Sequence, residues 1–190
     1  SAGHFRFKDI SGPAGKPDGI VNDNDRTFIG NPHPKFTFGL AVNLYYKNFD
    51  FNLFVQGVSG NKIFNYWRAF TEWPGMYGAG SMDTWSEDNR DAKLPIYSNR
   101  DLDDDRPSTF FVEDGSYVRL KSMQLGYTVQ RIKGISKLRV YAQAYNLLTI
   151  TNYSGMDPEV NTGAPGSTGI DFGGNFPIAA KLLLGVNFGL

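Results

Sequence analysis

Five stretches of the chain alternate apolar and polar residues with a period of two, the pattern of strands whose two faces meet different surroundings. The first spans Lys35–Tyr46, with Phe36, Phe38, Leu40, Val42, Leu44 and Tyr46 on one side and Thr37, Gly39, Ala41, Asn43 and Tyr45 on the other. The second spans Phe49–Ser59, where Phe49, Phe51, Leu53 and Val55 oppose Asp50, Asn52, Phe54 and Gln56. Only Lys47 and Asn48 separate these two, which predicts a tight hairpin. The third covers Ser116–Val129; Met123, Leu125, Tyr127 and Val129 form its apolar face, and simple alternation puts Arg119 and Lys121 on that same face. The fourth covers Lys137–Leu148, with Leu138, Val140, Ala142 and Ala144 opposing Arg139, Tyr141, Gln143 and Tyr145. In the fifth, Ala180–Leu190, Leu182, Leu184, Val186, Phe188 and Leu190 alternate with Leu183, Gly185, Asn187 and Gly189.

The links are unequal. Lys47-Asn48 and Gln130–Ser136 are short, whereas Gly60–Gly115 and Thr149–Ala179 are long. Membrane barrels show this asymmetry, with short periplasmic turns and long extracellular loops. Strands of a soluble sheet average about 5–6 residues, whereas a tilted membrane-crossing strand needs about 9–11. If Leu190 ends on the periplasmic side, both short links are periplasmic, both long ones are external, and the Gly-, Pro- and Asp-rich segment 1–34 is an extracellular loop. Residues 35–190 then hold the barrel strands and their extracellular loops, with no plug domain. The class expected is all-β: part of a transmembrane antiparallel barrel. Five strands cannot close one, and open edges in lipid leave backbone groups unsatisfied, so further strands are expected from the same polypeptide.

Composition narrows the function. Net charge is zero, which gives no electrostatic footprint for nucleic acid. Cysteine is absent, which removes disulfides, thiolate metal sites and cysteine nucleophiles. No apolar run reaches the ~20 residues of a membrane helix, as expected when strands cross the bilayer.

Four stretches, DNDRTFIGNPHPKFTFGL (23–40), YKNFDFNLFVQGVSGNKIFN (46–65), FVEDGSYVRLKSMQLGYTV (111–129) and ISKLRVYAQAYNLLTITNYSGMDPEV (135–160), together with the ending LLLGVNFGL, resemble the SusC/RagA family of TonB-dependent outer-membrane transporters of Bacteroidota. The resemblance implies the C-terminal portion of a barrel of about 22 strands, the size class of plugged outer-membrane transporters. It also implies a plug inside the same barrel, a SusD-like surface lipoprotein as lid, and energy from the TonB–ExbB–ExbD complex. The ligand would be a glycan or a peptide, the surroundings outer-membrane lipid, and the protein not an enzyme.

Candidate site residues fall into three groups. Asp9, Asp18, Asp23 and Asp25 lie in a Gly-rich loop where relatives often carry a calcium-binding pattern; hard cations take oxygen ligands from such loops, although Pro13 to Pro17 interrupt the spacing. Trp67, Trp73, Tyr77 and Trp85 cluster in the long link after the second strand and offer flat faces to a ligand, or to the loop's own packing. Asn43, Asn52, Gln56, Arg139, Tyr141 and Gln143 share the polar face and are expected to line the lumen or touch the plug. The acidic run around Asp104 reads as a solvated face, and His4 and His33 as isolated loop residues. An alternative reading is a secreted β-sandwich that holds carbohydrate with Trp67, Trp73 and Trp85.

Overall fold

A computed structural model describes residues 2–12, 15–71, 82–97, 104, 106–130, 136–160, 166–174 and 176–189. Five long strands form one antiparallel sheet in which sequence neighbours pair: β1 (Phe36–Tyr46), β2 (Phe49–Ser59), β5 (Tyr117–Val129), β6 (Lys137–Thr151) and β8 (Lys181–Gly189). All five predicted strands are present, and β6 continues past its predicted end at Leu148 to Thr151. The long links carry short elements that alternation could not reveal: β3 (Lys62–Asn65), β4 (Val112–Asp114), β7 (Ile170–Asp171) and a one-turn helix α1 (Trp67–Thr71). The three short strands make a small second sheet in the order β4-β3-β7. No described helix is long and apolar enough to cross a membrane, which says nothing of strands.

The chain divides into two compact units, one of residues 1–30 with 64–112 and one of residues 31–63 with 113–190. The long link after β3 thus groups with the N-terminal segment. The large sheet belongs wholly to the second unit.

The register gives each residue its face. Leu40 pairs with Val55, Val42 with Leu53 and Leu44 with Phe51; Leu53 pairs with Met123 and Phe51 with Leu125; these meet Ala144 and Ala142, which meet Leu182 and Leu184. One face is therefore apolar across all five strands, and apart from buried Ala144 its side chains are open or half-open: Leu40 is 54% exposed, Phe188 68% and Leu184 89%. Among the described residues no second layer covers it, as a sandwich would require. Hydrocarbon is the surrounding that suits such a face.

The expected face of Arg119 and Lys121 is overturned. A bulge at Lys121 shifts the register of β5 against both neighbours, so that Leu53 faces Met123 but Val55 faces Leu120. One extra residue in a strand exchanges the two faces beyond it. Val118 and Leu120 take the apolar side, and Tyr117 and Arg119 turn to the polar side. β6 compensates beside the bulge: Tyr145 pairs with Ser122 and Leu148 with Leu120, leaving Asn146 and Leu147 between them, with Asn146 in the left-handed backbone region at φ 50°. Asparagine tolerates that region better than most residues.

The face assignment is tested by charge placement. An Arg on the lipid face near the bilayer midplane costs about 2–4 kcal/mol, so Leu40→Arg is expected to lower the amount of heat-modifiable barrel in outer-membrane fractions. Asn43→Arg, on the opposite face, is expected to assemble better than Leu40→Arg. Equal yields for both would show that the faces are assigned wrongly.

Candidate functional site: the polar wall and the strap that covers it

The polar face is ordered in rows. Asn43 stands opposite Asn52, Asn52 opposite Gln124, and Gln124 opposite Gln143, so four amides from four strands line up across the sheet. The next row toward the short links holds Tyr45, Asp50, Gly126 and Tyr141. On the other side lie Ala41, Phe54, Ser122 and Tyr145, and beyond them Gly39, Gln56, Arg119 and Thr149. All six residues predicted for this face (Asn43, Asn52, Gln56, Arg139, Tyr141 and Gln143) are on it.

Near the short links the face is tied by one ion pair. Arg139 donates from Nε to Asp50 Oδ1 at 2.9 Å and from Nη2 to Oδ2 at 2.5 Å, a two-pronged contact that spans β5. Such forked contacts are stronger and more directional than single ones. The contact passes over Gly126, where a Cβ would collide with the Asp50 carboxylate. Tyr141 lies over Gly185 in the same way, and the Arg139 guanidinium sits 4.9 Å from the Tyr141 ring centre. Each glycine thus makes room for a side chain from the neighbouring strand. An open groove of about 800 Å³ adjoins the pair, with Tyr45, Asn52, Thr128 and Lys137 among its lining.

Toward the long links the polar face is closed by a denser network. Arg119 is 2% exposed. Its Nε donates to Thr149 Oγ1 at 2.8 Å and its Nη2 to Asp157 Oδ1 at 2.8 Å. Nη1 is 3.2 Å from Glu159 Oε2, near enough for charge attraction but without a hydrogen bond of its own. Glu159 also takes the Lys121 ammonium at 2.6 Å and the Tyr117 hydroxyl at 2.8 Å. Asp157 accepts the backbone N–H of Glu159 at 2.9 Å and of Ile178 at 2.9 Å. Burial pushes the Asp157 carboxyl upward, but the Ile178 and Glu159 N–H groups and the Arg119 guanidinium together hold it below its ordinary value. Two further ties fix the same segment: Ser154 donates from N and Oγ to Glu113, and the Tyr153 hydroxyl donates to buried Asp171 at 2.6 Å. EDGSYVRLK and YSGMDPEV, which sequence reading sees as separate motifs, are therefore the two halves of one network.

The other candidates lie in the first unit. Trp67 faces Phe70 at 6.4 Å between ring centres, within a group in which Phe5, Phe64, Tyr66, Phe110 and Phe111 also pack on one another. Trp85 lies against Gly3 and is half-buried. Both rings contribute to the packing of the loop. Trp73 and Tyr77 lie outside the described residues. His4 is not isolated: its Nδ1 is 2.7 Å from Asp104 Oδ2, while the Phe5 N–H donates to Asp104 Oδ1 at 2.9 Å. Sequence distance concealed that contact.

Of the four carboxylates considered for calcium, Asp9 and Asp25 lie side by side, whereas Asp18 and Asp23 make separate contacts. Asp25 accepts the N–H groups of Asn22, Ile10 and Ser11, which hold its carboxyl below the usual range. Asp9 takes the Gly19 N–H at 2.6 Å, Asp18 the Ile20 N–H at 3.0 Å, and Asp23 pairs with Arg26 on the surface. Among the described residues no three acidic or histidine groups are placed to hold a metal ion. Asp9, Asp18 and Asp25 each accept a backbone N–H of this loop, a common use of Asp in turns, and Asp9 Oδ1 is buried without a hydrogen-bond partner among the described residues.

The network gives a pH signature. The folded pKa of Asp157 lies below its unfolded value, so its stabilisation is complete above about pH 4 and fades as pH falls through the folded value. The difference in thermal unfolding midpoint between wild type and Asp157→Asn is expected to be largest near neutral pH and to shrink below about pH 4. A difference independent of pH would show that the Asp157 charge does not hold the segment. A second expectation concerns the ion pair near the short links. Gly126→Ala is expected to destabilise by about 1–3 kcal/mol, because the added methyl has no room beside Asp50. Unfolding in denaturant measures it, and an unchanged midpoint would contradict the close approach.

No family model matches the chain. It is 34% identical over 192 residues to TonB-dependent receptor P3 of Formosa agariphila, a match covering 95% of this chain and 18% of that protein. It is 26% identical over 176 residues to TonB-dependent receptor SusC of Bacteroides thetaiotaomicron, covering 90% of this chain and 16% of SusC. The chain thus spans 16–18% of the length of these relatives. Its fold matches a structure of the RagAB peptide importer in the open-open state with a TM-score of 0.73 at 23% identity, over 94% of this chain and 20% of that one. Another RagAB peptide transporter structure matches with a TM-score of 0.65 at 26% identity, over 83% of this chain and 17% of that one. The chain belongs to the SusC/RagA family of TonB-dependent receptors, which are outer-membrane β-barrel proteins, and its five long strands form part of the wall of such a barrel.

Proposed function

We propose that the intact protein imports oligomeric nutrients, glycans or peptides, across the outer membrane of a Bacteroidota cell. A SusD-like surface lipoprotein holds the cargo against the external loops, and the TonB–ExbB–ExbD complex supplies the energy. The chain contributes wall strands and external loops, and it performs no chemistry on the cargo. The observation that carries this reading is the polar face itself. Its middle is a row of uncharged amides, Asn43, Asn52, Gln124 and Gln143, flanked by Tyr45, Tyr141 and Tyr145. Asp50 and Arg139 neutralise one another beside this row, as do Arg119, Lys121, Asp157 and Glu159 farther along. A wall of neutral donors and acceptors with tyrosine faces suits sugars and peptide backbones, or the plug that moves among them. It does not repel cargo of either sign. The RagAB neighbours are described as peptide importers, which favours peptides, whereas SusC is the relative named beside them.

Cells producing the full-length protein are expected to accumulate labelled oligopeptides or oligosaccharides only when TonB is present, and a surface lipoprotein is expected to copurify in detergent. Placing charge on the amide row, as Asn52→Asp with Gln143→Glu, is expected to reduce uptake with the surface amount unchanged. TonB-independent accumulation, or release of cleaved oligomers into the medium, would refute import without catalysis.

A further inference from the structure

Most of the polar wall is open or half-open, but Tyr117 is 6% exposed and Arg119 2%. The segment 153–160 buries them. Tyr117 and Arg119 share a face with Asn43, Asn52 and Gln143, because the bulge at Lys121 turns them there. A segment that covers them therefore lies on the lumen side of the wall. It is tied along its whole length: Tyr153 to Asp171, Ser154 to Glu113, Asp157 to Arg119 and the Ile178 N–H, and Glu159 to Tyr117 and Lys121. Pro158 adds stiffness, since the residue before a proline is kept extended. Lifting the segment would leave the Arg119 guanidinium with Thr149 as its remaining side-chain hydrogen-bond partner, the kind of uncompensated charge that proteins avoid.

We propose that residues 153–160 form a permanently latched ledge projecting into the barrel mouth, with Arg119 as the latch. The ledge narrows the path along this part of the wall and stays in place while cargo passes; it is not a lid. Met156, 54% exposed at its middle, is the apolar group it offers to whatever passes. This rests on the import reading for the word cargo, but the latch itself does not depend on it.

Two measurements on the full-length protein in outer-membrane vesicles test the ledge. This chain contains no cysteine, so with any cysteines elsewhere in the full-length protein replaced, a nitroxide on Met156→Cys reports mobility at one known place. Its spectrum is expected to be broad and slow. It should become sharp and mobile when Arg119→Met is added, and intermediate with Asp157→Asn should the Arg119 variant fail to give a heat-modifiable barrel. A mobile spectrum without those substitutions, or one that neither substitution changes, overturns the latch. The second measurement uses Glu113→Cys with Ser154→Cys, at positions whose side chains are hydrogen-bonded neighbours, joined by a short bis-methanethiosulfonate cross-linker that makes a reducible disulfide at each end. Uptake of labelled oligopeptides and oligosaccharides is expected to be the same with the cross-link formed or reduced. Loss of uptake on cross-linking, restored by reductant, would make the segment a moving lid. Absence of uptake with the parent protein would refute the import reading, and the nitroxide spectra would still decide whether the segment is latched.

Discussion

Every backbone N–H and C=O within hydrocarbon must find its partner in the next strand, because no water is there to replace it. That requirement fixes the sheet before any side chain contributes. Once the ladder is set, a residue's position along the strand decides whether it meets lipid or lumen, and it cannot choose otherwise without breaking the ladder. The apolar rows through Leu40, Val55, Leu53 and Met123 and the amide row through Asn43, Asn52, Gln124 and Gln143 are two consequences of one register. The bulge at Lys121 is how this wall changes the assignment locally: one extra residue in β5, answered beside it in β6, turns Arg119 away from lipid.

Charge on such a wall is governed by the same scarcity of water. A lone ion in a partly dry environment is costly, so the ions found here are held by partners on neighbouring strands or on the strap. Asp50 and Arg139 reach across β5 because Gly126 leaves them room. Arg119 lies farther from the short links and uses partners from Thr149, Asp157 and Glu159 together. The two solutions differ in what they restrain. The first stiffens three adjacent strands, whereas the second fastens a loop to a strand and makes that loop part of the wall.

The strands are legible in the sequence because lipid demands apolar residues at every second position, and Leu182, Leu184, Val186 and Phe188 supply them without a break. The contacts between strands are not. Asp50 and Arg139 are 89 positions apart, and nothing local in either marks the other. Arg119 is the instructive miss. Straight alternation put two cations on a lipid face with Met123 and Leu125, a physical contradiction that itself signals a register change between Arg119 and Met123. Asp157 and Glu159, two acids spaced by one residue in the next long link, are the matching half of that signal. The residue types in the acidic loop suggest a cation site, and Asp9, Asp18 and Asp25 each accept at least one backbone N–H there, a use that residue type alone does not distinguish from metal ligation.

The two faces therefore constrain evolution differently. On the lipid face only the apolar character of each position matters, since Leu, Val and Phe meet the same fluid surroundings and need no fixed partner. On the lumen face each residue has a particular neighbour: Gly126 must stay small for Asp50 and Arg139, Gly185 for Tyr141, and Arg119 must keep its acids. Substitution on the first face is limited by hydropathy, on the second by geometry. EDGSYVRLK and YSGMDPEV, two of the stretches that carry the resemblance, lie where geometry rules, around a buried guanidinium that tolerates few ways of being surrounded.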